Sequence, residues 1–82
     1  MCQVLLFLSC DIGAERSIIG ELNKITGVTE ALRVSGIYDI VAKLSEQSKE
    51  DVISLLRQIR EISHIISSMT MIVAKDSDRS LE

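Results

Sequence analysis

From Gln3 to Cys10 the chain alternates with a period of two in which both phases are apolar: Val4, Leu6 and Leu8 share one face, Leu5 and Phe7 the other. Such a run predicts a strand that is covered on both sides. Asp11-Ile12-Gly13 breaks it, and from Ala14 to Ile25 the period changes. Ile18, Ile19, Leu22 and Ile25 recur at helical spacing, with Glu15, Arg16, Glu21 and Lys24 mostly opposite. This is an amphipathic helix that lies on a sheet, closed by Thr26-Gly27, since glycine takes the left-handed conformation in which helices commonly end. Strands follow at about Val28 to Val34 and Ile37 to Leu44, joined as a hairpin by Ser35-Gly36. Ser48 stands ready to cap a second helix, with Asp51 three residues on, and Val52, Leu55, Leu56, Ile59 and Ile62 trace its apolar face. Ile65 to Ala74 is apolar nearly throughout, a fourth strand buried on both sides.

The order is β-α-β-β-α-β. Leu22-xx-Ile25-xx-Val28 in the first half is echoed by Ile59-xx-Ile62-xx-Ile65 in the second, so each half is one strand-helix-strand unit. Two such units interleaved predict an α+β, ferredoxin-like sandwich with both helices on one face of a four-stranded antiparallel sheet. With 82 residues there is one domain, over 1–75. The charged stretch 76–82 reads as a disordered tail, ending in Leu81-Glu82, a dipeptide that cloning sites often leave behind.

That fold leaves the second face of the sheet without helices, yet either phase of the strands is apolar. The bare face carries Leu5 and Phe7 or Val4, Leu6 and Leu8, with Met69, Met71 and Val73 or Ile66 and Ile72. A patch of that kind exceeds what soluble monomers carry. A second copy, sheet against sheet, is the economical cover, which makes the expected unit a homodimeric α/β barrel.

Composition narrows the function. Apolar residues are 46% of the chain and aromatics 2%, so the interior is aliphatic. The net charge is −3 and no cluster of five or six Lys or Arg occurs, so direct nucleic-acid binding is not expected. The run from Val4 to Leu8 is too short to span a bilayer and no secretory leader is recognisable, so no membrane association is expected and the compartment is the cytoplasm. Cys2 and Cys10 would stand about 26 Å apart on one strand, too far for a disulfide. Phosphate-loop glycines, zinc-ligand spacings and nucleophile-base pairs are absent, so no cofactor is implied.

Val34-Ser35-Gly36-Ile37-Tyr38-Asp39-Ile40-Val41-Ala42-Lys43 resembles the V-T-G-x-Y-D-x-x-A-K signature of the Lrp/AsnC-family effector-binding domain, also called the RAM domain. Leu22-Asn23-Lys24-Ile25-Thr26-Gly27-Val28 is similar to the family's L-x-x-I-P-G-V. The segment Ile65-Ile66-Ser67-Ser68-Met69-Thr70-Met71-Ile72-Val73 is similar to V-x-x-T-x-T-x-I-V. The chain departs from the pattern at Thr26, in place of Pro, at Ser63-His64, in place of Pro-Gly, and at Ser68, in place of Thr. The resemblance implies a stand-alone effector module of the transcription-regulator type, without its own DNA-binding domain. It implies an amino acid or related small metabolite as effector, held between dimers, and assembly beyond the homodimer into rings of dimers up to an octamer. Full-length Lrp/AsnC regulators are implied as further partners.

The candidate ligand-binding residues are Ser35, Gly36, Tyr38, Asp39, Ser68 and Thr70. Gly36 brings backbone close to a ligand or simply turns a hairpin. Alternation sends Tyr38 and Asp39 to opposite faces, and Asp39 can accept from an ammonium group. Ser68 and Thr70 share a face and offer two hydroxyls for a carboxylate or an amide. His64, the single histidine, falls in a turn with no Cys or second His nearby. Two rival classes share the strand order. An ACT-type amino-acid-binding domain is suggested by Asp11-Ile12-Gly13, which resembles its first-loop D-x-x-G, but that pattern lacks the G-x-Y-D-x-x-A-K hairpin. A small dimeric α/β-barrel enzyme would need a His, Asp or Arg inside the barrel, where Arg33, Asp39 and Lys43 are the only charges flanked by apolar residues. No catalytic activity is expected.

Overall fold

The computed structural model describes residues 2–73. The elements are β1 (Cys2–Cys10), α1 (Glu15–Asn23), β2 (Val28–Arg33), β3 (Ile40–Glu46), α2 (Lys49–Arg60) and β4 (Ile65–Val73). The sheet order is β2-β3-β1-β4, antiparallel at every pairing, which is the ferredoxin-like arrangement that the alternating periods predict. Ser48 caps α2, its Oγ accepting from the backbone N–H of Asp51 at 3.2 Å. No side chain caps α1 at Ala14. Of its predicted face, Ile18 and Leu22 are buried, while Ile19 and Ile25 pack half-buried against the core.

β1 turns Val4, Leu6, Leu8 and Cys10 toward the helices, where all four are buried, with Val4, Leu6 and Leu8 in register with Leu44, Ala42 and Ile40 of β3. Val52, Leu55 and Ile59 of α2 close the core from above. Each fully buried Leu or Ile, such as Leu6 or Ile18, contributes on the order of 1.5–3 kcal/mol over leaving it in water. The bare face is therefore the other phase. Leu5 and Phe7 stand between Lys43 and Val41 of β3 and Met71 and Met69 of β4, with Leu32 of β2 beyond. Met69 and Met71 are 40% and 49% exposed there.

The helix layer is set off-centre. α1 packs on β2 and β3, and α2 on β3 and β1, so the helix-side face of β4 is left largely open.

The link between β2 and β3 differs from the expected tight hairpin. β2 ends at Arg33 and β3 starts only at Ile40, so Ser35-Gly36 sits inside a longer connection over 34–39. The cause is Asp39. Its backbone N–H donates to the Leu8 carbonyl at 2.8 Å and its carbonyl accepts from the Val34 N–H at 2.9 Å. Asp39 is thus tied to β1 through its N–H and to the residue after β2 through its carbonyl.

Candidate functional site

In the connection 34–39, Ser35, Gly36 and Ile37 are exposed. Gly36 has φ +140° with open space around the position a Cβ would take, so backbone conformation alone accounts for glycine here. Tyr38 lies on the bare sheet face. Its ring centroid is 5.7 Å from that of Phe7, in a tilted arrangement, and its hydroxyl is 3.8 Å from the sulfur of Met69. Asp39 points elsewhere. Its Oδ2 accepts from the backbone N–H of Cys10 at 2.9 Å, at the point where the β1–β4 register slips between Ser9 and Cys10.

Ser68 and Thr70 are on the opposite side of the sheet. They pair with Leu8 and Leu6 and face the open strip beside α2. Thr70 borders an apolar cavity of about 180 Å³ walled by Val4, Val52, Ile53, Leu56 and Ile72, with Lys49 at its rim. Ser68 lies further along, near Arg60 and Leu56. Within one protomer, then, the sheet separates Tyr38 from the two hydroxyls, and the six candidate residues do not line a common cavity.

The cysteines are free. Burial pushes the Cys10 thiol pKa up, and the Asp39 carboxylate beside it pushes in the same direction. Among the described residues no cluster of His, Cys, Asp and Glu is disposed to hold a metal ion, and no helix is long and apolar enough to cross a membrane.

A feature missing from the sequence reading is a wide cleft of about 560 Å³ where α1 and α2 end, lined by Ser17, Glu21, Gln58, Glu61 and His64. His64 holds a positive φ of 76°, and its Nδ1 is 3.1 Å from Asp11 Oδ2. Position 64 is where the resemblance places glycine, which was the one available sign that this turn needs a left-handed residue. The His64–Asp11 pair is exposed and ties the β1–α1 loop to the start of β4. Among the described residues, Asp11 is the carboxylate that His64 meets at ion-pair distance.

The strand order, the bare apolar face and the Gly36-to-Lys43 segment lead to one comparison. Residues 3–80 match the Lrp/AsnC ligand binding domain. The chain belongs to that family. Among solved structures, a hypothetical protein from Pyrococcus horikoshii superposes with a TM-score of 0.86 at 27% identity, over 90% of this chain and 90% of that one. The AsnC protein of E. coli superposes with a TM-score of 0.83 at 25% identity, over 90% of this chain and 51% of that one. The Lrp/AsnC module is also similar to part of an enzyme, the homocitrate synthase of Saccharolobus solfataricus, at 28% identity over 74 residues. That alignment takes in 89% of this chain and 16% of the synthase, so the chain spans a small part of the curated relatives it matches. The tail expected over 76–82 lies outside the described residues.

Proposed function

We propose that this Lrp/AsnC domain is a regulatory module that senses an amino acid or related small metabolite and does so as an assembly of copies. The observation that carries the reading is the family match over residues 3–80, the family being a ligand-binding domain. The bare sheet face supports the assembly: Leu5, Phe7, Leu32, Met69 and Met71 form an apolar surface that a second copy, sheet against sheet, would cover. Tyr38 lies on one face of the sheet and Ser68 and Thr70 on the other, which favours a site completed by neighbouring copies over a pocket internal to one. In that site Ser68 and Thr70 supply hydroxyls, Gly36 and Ser35 supply backbone, and Tyr38 and Asp39 position the connection. We read the module as binding rather than catalytic, cytoplasmic, and able to co-assemble with longer members of its family.

A thermal-shift screen of the proteinogenic amino acids tests this. A ligand at one hundred times its Kd stabilises by about 2.7 kcal/mol, enough to raise the melting temperature by roughly 10–20 °C in a domain of this size. If no amino acid raised it, effector sensing would give way to a purely assembling role.

The homocitrate synthase similarity favours one second reading, in which the same module serves as the regulatory segment of a biosynthetic enzyme. The same screen bears on it, since an end-product amino acid would then be the ligand that shifts the melt.

A further inference from the structure

The strip between α2 and β4 has a definite chemistry. On its α2 side, Lys49, Ile53, Leu56 and Arg60 stand at i, i+4, i+7 and i+11, one stripe along the flank of the helix. Lys49, Ile53 and Leu56 border the cavity of about 180 Å³ next to Thr70, and Leu56 and Arg60 border the smaller hollow next to Ser68. The two hollows, the second of only about 10 Å³, meet at Leu56, and the groove runs over that side chain. Its middle is apolar and wet: Ile53 is 51% exposed and Ile72, across from it, 62%. At either end stands a cation, and among the described residues neither Lys49 nor Arg60 has an ion-pair partner. Both belong to a chain whose net charge is −3.

We propose that this groove receives an amphipathic helix from a different protein, carrying carboxylates about eleven residues apart with two large apolar side chains between them. Eleven residues of helix span about 16 Å, a distance that a single amino acid cannot bridge. A helix beside α2 at the usual 8–10 Å separation would lie over β4 and complete the off-centre helix layer. A second copy of this chain does not supply it. α1, at nine residues, is too short to carry both carboxylates, and although Glu50 and Glu61 of α2 and its C-cap have the spacing, Ser54 and Arg57 stand between them where the two apolar side chains are needed. The partner's apolar residues would enter the Thr70 cavity and cover Ile72, while its carboxylates would meet the two cations at the rim.

This goes beyond the proposed effector sensing and does not rest on it. Because Thr70 and Ser68 border the same groove, an effector held there would compete with the helix.

The test uses the full 82-residue chain without added amino acids, and a labelled alanine-based peptide with the pattern Glu-x3-Leu-x2-Leu-x3-Glu, followed by fluorescence anisotropy. Saturable binding is expected. Lys49→Glu with Arg60→Glu, both at exposed positions, should weaken it by about tenfold, the sum of two modest surface ion pairs. A peptide with Lys in place of each Glu should bind the double variant and not the parent, which separates charge recognition from a folding defect. Absence of saturable binding, or equal binding to parent and double variant, overturns the proposal. Loss of self-association in the double variant without peptide binding overturns it as well, in favour of a second copy in the groove.

Discussion

The carboxylate of Asp39 accepts the backbone N–H of Cys10 at 2.9 Å, joining the start of β3 to the end of β1 at the register slip. That N–H lies beyond the last β1–β3 pair, Leu8–Ile40, where no ladder carbonyl meets it, and a partly buried donor left alone costs about 1–3 kcal/mol. Asp39→Ala should therefore lower stability by about 1–3 kcal/mol in urea titration. Asp39→Asn, whose amide oxygen can still accept, should lose less than half as much. Equal losses in the two variants would show that the Cys10 bond is not what Asp39 contributes.

The same neighbour governs the thiol. Burial first and the Asp39 carboxylate second hold the Cys10 pKa above its ordinary value, so at mildly alkaline pH the folded protein keeps this thiol protonated. Cys2, half-buried near the β1 terminus, should react with a thiol reagent at pH 8 well before Cys10. For an acid whose folded-state pKa is raised, the stabilising contribution is complete below the unfolded value. It is lost as pH rises from about 8.5 through the folded value. Urea midpoints should accordingly fall above pH 8.5 in the parent and fall less in Cys10→Ala. Simultaneous labelling of both cysteines at pH 8 would contradict the burial of Cys10.

Much of this arrangement was legible in the chain itself. Where side chains keep a strict period, as at Val4, Leu6 and Leu8 or Val52, Leu55 and Ile59, the period decides both element and face. What was not legible was which apolar phase meets the helices, because β1 and β4 are apolar in both; only the helix packing decides it. The connection 34–39 was misread for a different reason. Its geometry depends on the hydrogen bonds that Asp39 donates to the Leu8 carbonyl and accepts from the Cys10 N–H, about thirty residues away in sequence, which local turn chemistry does not encode. The candidate ligand residues were readable as residue types, but the placing of Tyr38 and of Ser68 and Thr70 on opposite sheet faces is fixed only by packing and register.

Gly27 has a cause visible only in three dimensions. Its φ is +104°, and a Cβ there would strike the Glu46 carboxyl group and come within 2.9 Å of Leu55 Cδ2. Glu46 can swing aside, but Leu55 is a core residue and cannot. Gly27→Ala adds the strain of a left-handed alanine, about 1 kcal/mol, to an overpacking cost of about 1–3 kcal/mol, so a loss of about 2–4 kcal/mol is expected in chemical denaturation. Gly36→Ala, at φ +140° with open space around it, should show the backbone strain without the packing cost and fall clearly below that loss.

The bare sheet face gives the most direct test of assembly. Met71 lies on it opposite Leu5, 49% exposed in the single chain, and Met69 beside it takes the Tyr38 hydroxyl. A carboxylate at position 71 costs little in a lone protomer, where it faces water. Buried against the apolar sheet of a second copy it would lose its water, and an unpaired buried charge costs several kcal/mol. Met71→Glu should therefore keep the parent's circular dichroism spectrum and elute at the mass of one chain, while the parent scatters light as two chains or more. Met71→Leu, which preserves volume and apolarity, should assemble like the parent. A parent that is monomeric at micromolar concentration, or a Met71→Glu variant that assembles unchanged, would mean that this face is not where copies meet.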